Sequence, residues 1–189
     1  MKTLEHAPFP ELAERIIALY SEEEDALLLG MLGQEYVVRR DGIFLHGQKA
    51  PEAHATVILD YVFSSGGELT KLPWRTIGDF SGRPLPDFRK RVELPLINYA
   101  AEIAARSNPL LSMVDASSGP SLISSDMAIT VRALPKVYLH LELSQETQDF
   151  PAEAWMLFSN NANEFLSVPN LLTLAEAFKD RLLSLLRIY

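Results

Sequence analysis

The fold is decided by residues 126–189, which read DMAITVRALPKVYLHLELSQETQDFPAEAWMLFSNNANEFLSVPNLLTLAEAFKDRLLSLLRIY. Apolar and polar residues alternate over 127–132 and again over 137–143, with the two-residue period of a strand that buries one face. The polar segment 144–149 is typical of a hairpin turn, and it leads to a third predicted strand over 152–158. Neither face of this third strand is cleanly polar, so we expect both faces to be covered.

A long amphipathic helix is predicted after these strands, beginning at Pro169 with Ser167 as a candidate cap. Its apolar residues recur at spacings of three and four and are Leu171, Leu174, Ala175, Phe178, Leu182, Leu185 and Leu186. A helix with one such stripe has to cover the face of a sheet. We therefore expect a single α+β domain over residues 1–189, with residues 1–8 as a candidate disordered segment. In this domain an antiparallel sheet of two meanders is covered by three to four helices.

The upstream half supplies the remaining predicted elements. A first helix opens at Phe9, and an acidic run over 21–25 is predicted to be its solvated end and the turn that follows. A β-meander follows over 26–45, because short apolar segments are separated by turn residues. Two further helices are predicted, one starting at Pro51 and one over 88–106.

Composition excludes several classes of function. The net charge is −8 and there is no cysteine, which rules out disulfides, thiolate metal sites and cysteine nucleophiles supplied by this chain. An acidic surface repels phosphate backbones, so we expect no nucleic-acid partner. The N-terminal residues lack the apolar core of a signal peptide, and no run approaches the roughly 18 apolar residues of a membrane span. We expect a cytoplasmic protein. The sequence assigns no metal ligand, and it leaves the cofactor and the oligomeric state unknown.

Common catalytic and nucleotide-binding motifs are absent from the sequence. It contains no G-x-G-x-x-G, no P-loop, no H-E-x-x-H and no G-x-S-x-G pattern. A dispersed triad of serine, histidine and acid stays open, but no motif suggests one. The sequence therefore favours a protein that is not an enzyme.

A loop rich in glycine and proline, residues 69–88, is the first candidate site, because long loops are often functional. Aromatic and charged residues concentrate in it and just after it, and the candidate ligand-binding residues are Trp74, Arg75, Asp79, Arg83, Arg89 and Arg91. Clustered arginines in an acidic protein indicate a small anionic ligand. The alternative is that these arginines form internal ion pairs and a solvated helix start.

The second candidate site lies on the predicted closing sheet. If Glu142 pairs with Glu153 across a hairpin, His140 pairs with Trp155, and two carboxylates then share one face with an imidazole. Such a cluster suits acid–base catalysis or a hard metal ion. The alternative is two separately solvated glutamates, because like charges directly opposite each other destabilise a strand pair.

Several short motifs carry a resemblance to a known family. They are Ala133-Leu134-Pro135, Phe150-Pro151-Ala152-Glu153-Ala154, Leu157-Phe158, Tyr61, Gly67 to Leu69, Trp74, Phe88-Arg89-Lys90-Arg91-Val92 and Pro95. From about Glu11 onward, the chain resembles domain-of-unknown-function family 3786, whose members come mostly from anaerobic bacteria and archaea. Some members are joined to cysteine-rich iron–sulfur segments, which implies a role near anaerobic redox or one-carbon metabolism. This chain lacks those cysteines, and it has Asn160, Asn161 and Asn163 where family members are more acidic, which would weaken a cation site there. The resemblance assigns no catalytic residue.

The leading hypothesis is an accessory protein that binds a partner protein or a small anionic ligand. It depends on the arginine-bearing loop and on the absence of a catalytic motif. An enzyme or metal protein that uses His140, Glu142 and Glu153 is the alternative hypothesis. A third possibility is an oligomerisation or scaffold module.

Overall fold

The computed structural model describes residues 3–83 and 85–188, without the side chains of Ser107, Asn108 and Ile188. Met1 and Lys2 of the candidate disordered segment therefore lie outside the described residues. Within that segment Leu4 and Ala7 are buried. The carbonyls of both residues accept hydrogen bonds from the Arg40 guanidinium.

The first sheet is an antiparallel meander of five strands. They are β1 (Leu19–Ser21), β2 (Ala26–Met31), β3 (Gln34–Arg39), β4 (Gly42–Leu45) and β5 (Gln48–Lys49), and they lie in sequence order. The three predicted strands are confirmed, and a short strand is added on each edge. In the acidic run, Ser21 ends β1 and residues 22–25 form the turn to β2, so the predicted turn is confirmed and the predicted helix end there is wrong. The first helix has already ended, because its chain turns into the left-handed conformation at Ile17.

The second sheet is the predicted closing meander with one extra strand. It contains β6 (Ala116–Ser118), β7 (Met127–Leu134), β8 (Val137–Ser144) and β9 (Glu153–Phe158), in that spatial order and all antiparallel. Its inner face is apolar, as in Leu141 and Met156. The outer face of β9 is only partly covered, since Trp155 is 39% exposed, so the expected two-sided cover is wrong.

The helical segments outnumber the three to four predicted. They are α1 (Phe9–Ile16), α2 (Glu52–Val62), α3 (Ile77–Ser81), α4 (Pro86–Phe88), a π-helix (Arg89–Glu93), α5 (Leu94–Ile97), α6 (Ala100–Ala105), α7 (Ser107–Met113), a 3-10 turn (Ala162–Glu164) and α8 (Val168–Ile188). The predicted helix over 88–106 is divided into shorter segments, with turn residues 98–99 between α5 and α6 and with Pro95, which has no N–H to donate, in the first turn of α5. Just before Pro95, the Leu94 N–H reaches the Arg89 carbonyl five residues back, which gives the π-helical turn.

Helix α8 closes the core as predicted. All seven residues of its apolar stripe are buried, and they belong to one core cluster together with the inner faces of both sheets. At the start of the helix, the Asp60 carboxylate of α2 accepts hydrogen bonds from the Ser167 N–H (2.8 Å) and hydroxyl (2.7 Å). The hydroxyl of Ser167, the candidate cap, thus donates a hydrogen bond, and the acceptor is the Asp60 carboxylate of α2. The two sheets also meet directly where the Leu32 N–H donates to the Ala133 carbonyl at 3.0 Å.

In the part of the chain that the structure describes, the helices are each too short or too polar to cross a lipid bilayer.

Candidate functional site

A cleft of about 680 Å³ opens between α3, the π-helix and the edge strand β9. We call it the arginine cleft, since Arg83 and Arg89 both line it. Much of the remaining lining is apolar and includes Leu85, Phe88 and the β9 segment from Trp155 to Leu157. A concave, largely apolar site of several hundred Å³ with a few polar groups is the usual form of a small-molecule site.

Helix α3 forms one wall and is fixed by a capping box. The Asp79 carboxylate accepts from the Thr76 N–H at 2.7 Å, and the Asp79 N–H donates back to the Thr76 hydroxyl at 3.3 Å. These two bonds satisfy N–H groups that a helix start otherwise leaves without partners. Asp79 therefore lines the cleft as a structural cap, although the sequence had indicated it as a ligand-binding residue.

The segment before α3 is tied to the edge strand β9. Arg75 and Phe158 exchange two backbone hydrogen bonds, of 2.9 and 2.8 Å. The Arg75 side chain is directed elsewhere, since its Nε donates to the side-chain Oδ1 of Asn160 at 2.8 Å. Trp74 stacks on the imidazole of His140 with ring centroids 4.9 Å apart. Neither Trp74 nor Arg75 is among the residues that line the arginine cleft.

The opposite wall is the π-helix, which carries a buried acid that the sequence analysis did not single out. Glu93 is 8% exposed, and its Oε1 accepts from the Met156 N–H of β9 at 3.1 Å. Its Oε2 lies 3.8 Å from Nη1 of Arg89. Burial raises the pKa of Glu93, although the bond from Met156 and the charge of Arg89 act in the opposite direction. A sequence signal was available, because Glu93 is flanked by apolar residues where an exposed helix would place polar ones.

The six predicted ligand-binding residues divide into two groups. Asp79, Arg83 and Arg89 line the cleft, whereas Trp74, Arg75 and Arg91 do not. Arg91 donates from Nη2 to Glu176 of α8 at 2.8 Å, so its charge is used in an internal ion pair. Among the described residues, Arg83 is exposed and its guanidinium forms no ion pair.

The second candidate site has a different register from the predicted one. Glu142 lies opposite Trp155, and His140 lies opposite Leu157, so the predicted pairing of Glu142 with Glu153 is wrong by two residues. Glu153 faces Ser144 instead, and its carboxylate accepts from the Trp155 indole N–H at 3.1 Å. All three predicted side chains remain on the outer face of the sheet, because a shift of two residues keeps the faces unchanged.

His140 and Glu142 form a buried hydrogen-bonded pair on that face. His140 Nε2 lies 3.2 Å from Glu142 Oε1, and His140 Nδ1 lies 3.1 Å from the Thr130 hydroxyl. Burial lowers the pKa of His140, with Glu142 opposing this effect. Burial acts to raise the pKa of Glu142, but hydrogen bonds from Ser125, the Leu122 N–H and other donors outweigh it and lower that pKa.

These directions describe a neutral imidazole beside an ionised carboxylate. The carboxylate is also saturated with donors from residues 121–125, which is an arrangement that holds a loop in place. Among residues 3–83 and 85–188, three or more histidine or acidic side chains do not come together in a way that could hold a metal ion. The acid–base role of His140, Glu142 and Glu153 stays a prediction.

Comparison with known proteins identifies a family for most of the chain. Neither a curated protein nor a solved structure matches it. A family model described as "Domain of unknown function (DUF3786)" matches residues 8–181. That match covers all of both sheets and all but the last turns of α8. The chain therefore belongs to the DUF3786 family.

Proposed function

We propose that this protein binds a small amphipathic anion in the arginine cleft. The observation that carries the proposal is the pair of guanidinium groups, Arg83 and Arg89, at a cleft lined mainly by apolar side chains. The two carboxylates of the cleft already have local partners, since Asp79 caps α3 and Glu93 accepts from β9. Arg83 forms no ion pair within the described part of the chain, so it supports an anionic ligand most directly.

The lining suggests the chemistry of the ligand. Arginine matches the planar geometry of a carboxylate or the oxygens of a phosphate through paired N–H donors. Trp155, Phe88 and Leu85 supply aromatic and aliphatic surface for an uncharged body. The ligand class is therefore a carboxylate or phosphate monoester attached to an apolar group, and a cleft of about 680 Å³ has the size for such a molecule.

Glu93 adjusts the charge of the cleft. Since burial raises its pKa, the uncharged acid is more populated at a given pH than for a glutamate in water. Burial therefore acts against the negative charge of Glu93 beside Arg89, whereas the Arg89 guanidinium itself favours that charge.

The proposed role is that of an accessory binding protein and not of an enzyme. The link to anaerobic redox or one-carbon metabolism rests on the family resemblance alone and stays a prediction. The arginine cleft is compatible with it, because many metabolites of such pathways are small carboxylates or phosphate esters.

A thermal-shift screen tests the proposal, with aliphatic carboxylates, aromatic carboxylates and phosphate monoesters as probes. A compound present at 100 times its Kd adds about 2.7 kcal/mol, which is roughly 5–10 °C for a chain of this size. Substituting Arg83 or Arg89 by alanine should weaken that compound's affinity roughly 10- to 100-fold, the value of a charged hydrogen bond.

Arg75→Ala is the matched control, because it removes another exposed arginine, which lies outside the cleft. Binding that is lost in Arg75→Ala but kept in both cleft variants would contradict the proposal. So would a panel in which no anion stabilises the wild-type protein.

A further inference from the structure

A second groove lies on the outer face of the second sheet and shares Trp155 with the arginine cleft. Its volume is about 570 Å³, and Ile123, Phe150 and Trp155 line it together. We call it the outer groove. Ile123 and Phe150 are 53% and 73% exposed, and the neighbouring Leu122 is 53% exposed. Several large apolar side chains gathered around one concave surface are typical of an interaction site.

The exposure of Leu122 and Ile123 is enforced by the structure beneath them. The N–H groups of both residues point inward to the Glu142 carboxylate, at 2.7 and 3.4 Å. The hydroxyls of Ser121 and Ser125 donate to the same carboxylate, each at 2.7 Å. Because the backbone of residues 121–125 faces a buried charge, the apolar side chains are directed into solvent and cannot collapse onto the sheet. A loop held in this way has little conformational entropy to lose on binding.

The loop that carries Phe150 is also fixed by local bonds. The Thr147 N–H donates to the Phe150 carbonyl at 2.9 Å, and the Phe150 N–H donates to the Thr147 hydroxyl at 3.1 Å. Asp126 joins the two loops, since its carboxylate accepts from the Gln145 N–H at 2.7 Å. Both sides of the outer groove are therefore arranged before any partner arrives.

Charge identifies the kind of partner. Asp126 and Glu153 are the charged residues among those described that line the outer groove, so its charge is entirely negative. Glu146 and Asp149 are exposed in the adjoining loop. A negative rim around an apolar centre complements a segment with apolar anchors flanked by lysine or arginine. The same charge repels anionic lipid headgroups and, by symmetry, a second copy of this acidic surface.

We propose that the outer groove binds a partner protein through a basic amphipathic segment, whose apolar side chains seat against Ile123, Phe150 and Trp155. This interaction is separate from ligand binding in the arginine cleft. It gives the accessory role a partner of defined chemistry. Because Trp155 borders both sites, tests of the partner site are better made at Ile123 and Phe150.

Selection from a random peptide library displayed on phage, with the intact chain as bait, tests this proposal. We expect the selected peptides to share one or two large apolar residues flanked by lysine or arginine. Ile123→Ser and Phe150→Ser should each reduce the affinity of a selected synthetic peptide at least tenfold. Leu19→Ser is the matched control, because Leu19 is 66% exposed on the edge of the other sheet.

A charge test accompanies the apolar one. Asp126→Asn and Glu153→Gln keep the shape of each side chain and one acceptor oxygen. Together they should lower the affinity of the selected peptide several-fold and make that affinity less dependent on salt concentration. Circular dichroism establishes that each variant is folded, and a variant that is not folded is replaced by the milder Ile123→Ala or Phe150→Leu.

Three results would overturn the proposal. The first is a selection that yields no peptide, or acidic peptides only. The second is peptide binding that is unchanged by both groove substitutions. The third is a wild-type dimer in light scattering that Phe150→Ser converts to a monomer, since the groove would then be covered by a second copy of the chain.

Discussion

Replacing Glu142 by glutamine perturbs the most heavily hydrogen-bonded side chain on the outer face of the second sheet. Oε1 accepts from the Leu122 N–H and faces His140, whereas Oε2 accepts from the hydroxyls of Ser121 and Ser125. A glutamine offers only one acceptor oxygen. Its amide group has to face the serines, because hydroxyls can rotate to accept a hydrogen bond, whereas the short bond from the Leu122 N–H needs an acceptor. The longer bond from the Ile123 N–H is then lost.

The magnitude follows from this arrangement. Glu142→Gln removes the negative charge and about two charged hydrogen bonds. The rotated serine hydroxyls form new hydrogen bonds with the glutamine amide that offset part of this loss, so we expect the free energy of unfolding to fall by about 2 kcal/mol. Glu142→Leu leaves the N–H groups of Leu122 and Ile123 without their acceptor and removes the carboxylate from both serines, which should cost about 4 kcal/mol. For a chain of this size the midpoint temperature should fall by roughly 4–8 °C and 8–16 °C, respectively.

Calorimetry measures these values, and hydrogen exchange of the Leu122 amide reports on the loop. Glu153→Gln is the control, since Glu153 is partly exposed on the same face and makes one side-chain hydrogen bond, to Trp155. It should change stability by less than about 0.5 kcal/mol. If Glu142→Leu cost no more than that control, the carboxylate would not hold residues 121–125, and the argument for an arranged outer groove would fail.

Three further predictions concern the core and the titrating groups. Burial lowers the pKa of His54 and of His140, so the folded protein binds protons at these residues less readily than the unfolded chain does. The stability that they contribute is therefore complete above the unfolded pKa of about 6.5 and should be lost as the pH falls towards 5. Urea titrations between pH 5 and 7 measure this loss, and a flat profile would refute it. Glu93 has a raised pKa, so its ionisation opposes folding as the pH rises above about 4.3, and Glu93→Gln should gain stability relative to the wild type between pH 4 and 7. If the difference in the free energy of unfolding between the two proteins were constant across that range, the ionisation of Glu93 would not affect stability. Phe178→Ala removes a fully buried ring from α8 and should cost about 3–5 kcal/mol in chemical denaturation, whereas a cost under 1 kcal/mol would mean that α8 is dispensable to the core.

The fold was largely predictable where periodic patterns are long. The apolar stripe of α8 and the alternating pattern of β7 and β8 extend over many residues. For each pattern, only one type of secondary structure places all the apolar residues on one buried side. The strand β5 has only two residues and leaves no periodic pattern to detect. The π-helix depends on a local hydrogen-bonding choice beside Pro95, which a pattern of apolar residues does not encode.

The register of β8 and β9 shows why the candidate site was less predictable than the fold. Pairing Glu142 with Glu153 or with Trp155 gives the same inner and outer faces, because the two registers differ by two residues. Hydrophobic patterning cannot distinguish them, and the hairpin loop over 145–152 is too long to impose one register by turn geometry. The choice is made by three-dimensional packing, including the protection of Glu142 by residues 121–125.

The sequence predicted which segment forms the arginine cleft, but it did not predict which side chains of that segment point into the cleft. Asp79, Arg83 and Arg89 line the cleft, while the backbone pairing of Arg75 with Phe158 directs the Arg75 side chain away from it. Glu93 was missed because its helix was predicted to be continuous, although its apolar neighbours Val92 and Leu94 are a signal of burial.

The hydrogen bonds that Arg75 and Glu93 accept from the free edge of β9 have a consequence for aggregation. The sequence of β9 is EAWMLF, an apolar edge strand of the kind that recruits identical chains into intermolecular sheets. Two of its outward N–H groups are occupied, that of Phe158 by the Arg75 carbonyl and that of Met156 by the Glu93 carboxylate. The walls of the arginine cleft thus also shield the strand from neighbouring molecules. Conditions that detach residues 75–93 before the rest of the domain unfolds should therefore give precipitate and not reversible refolding.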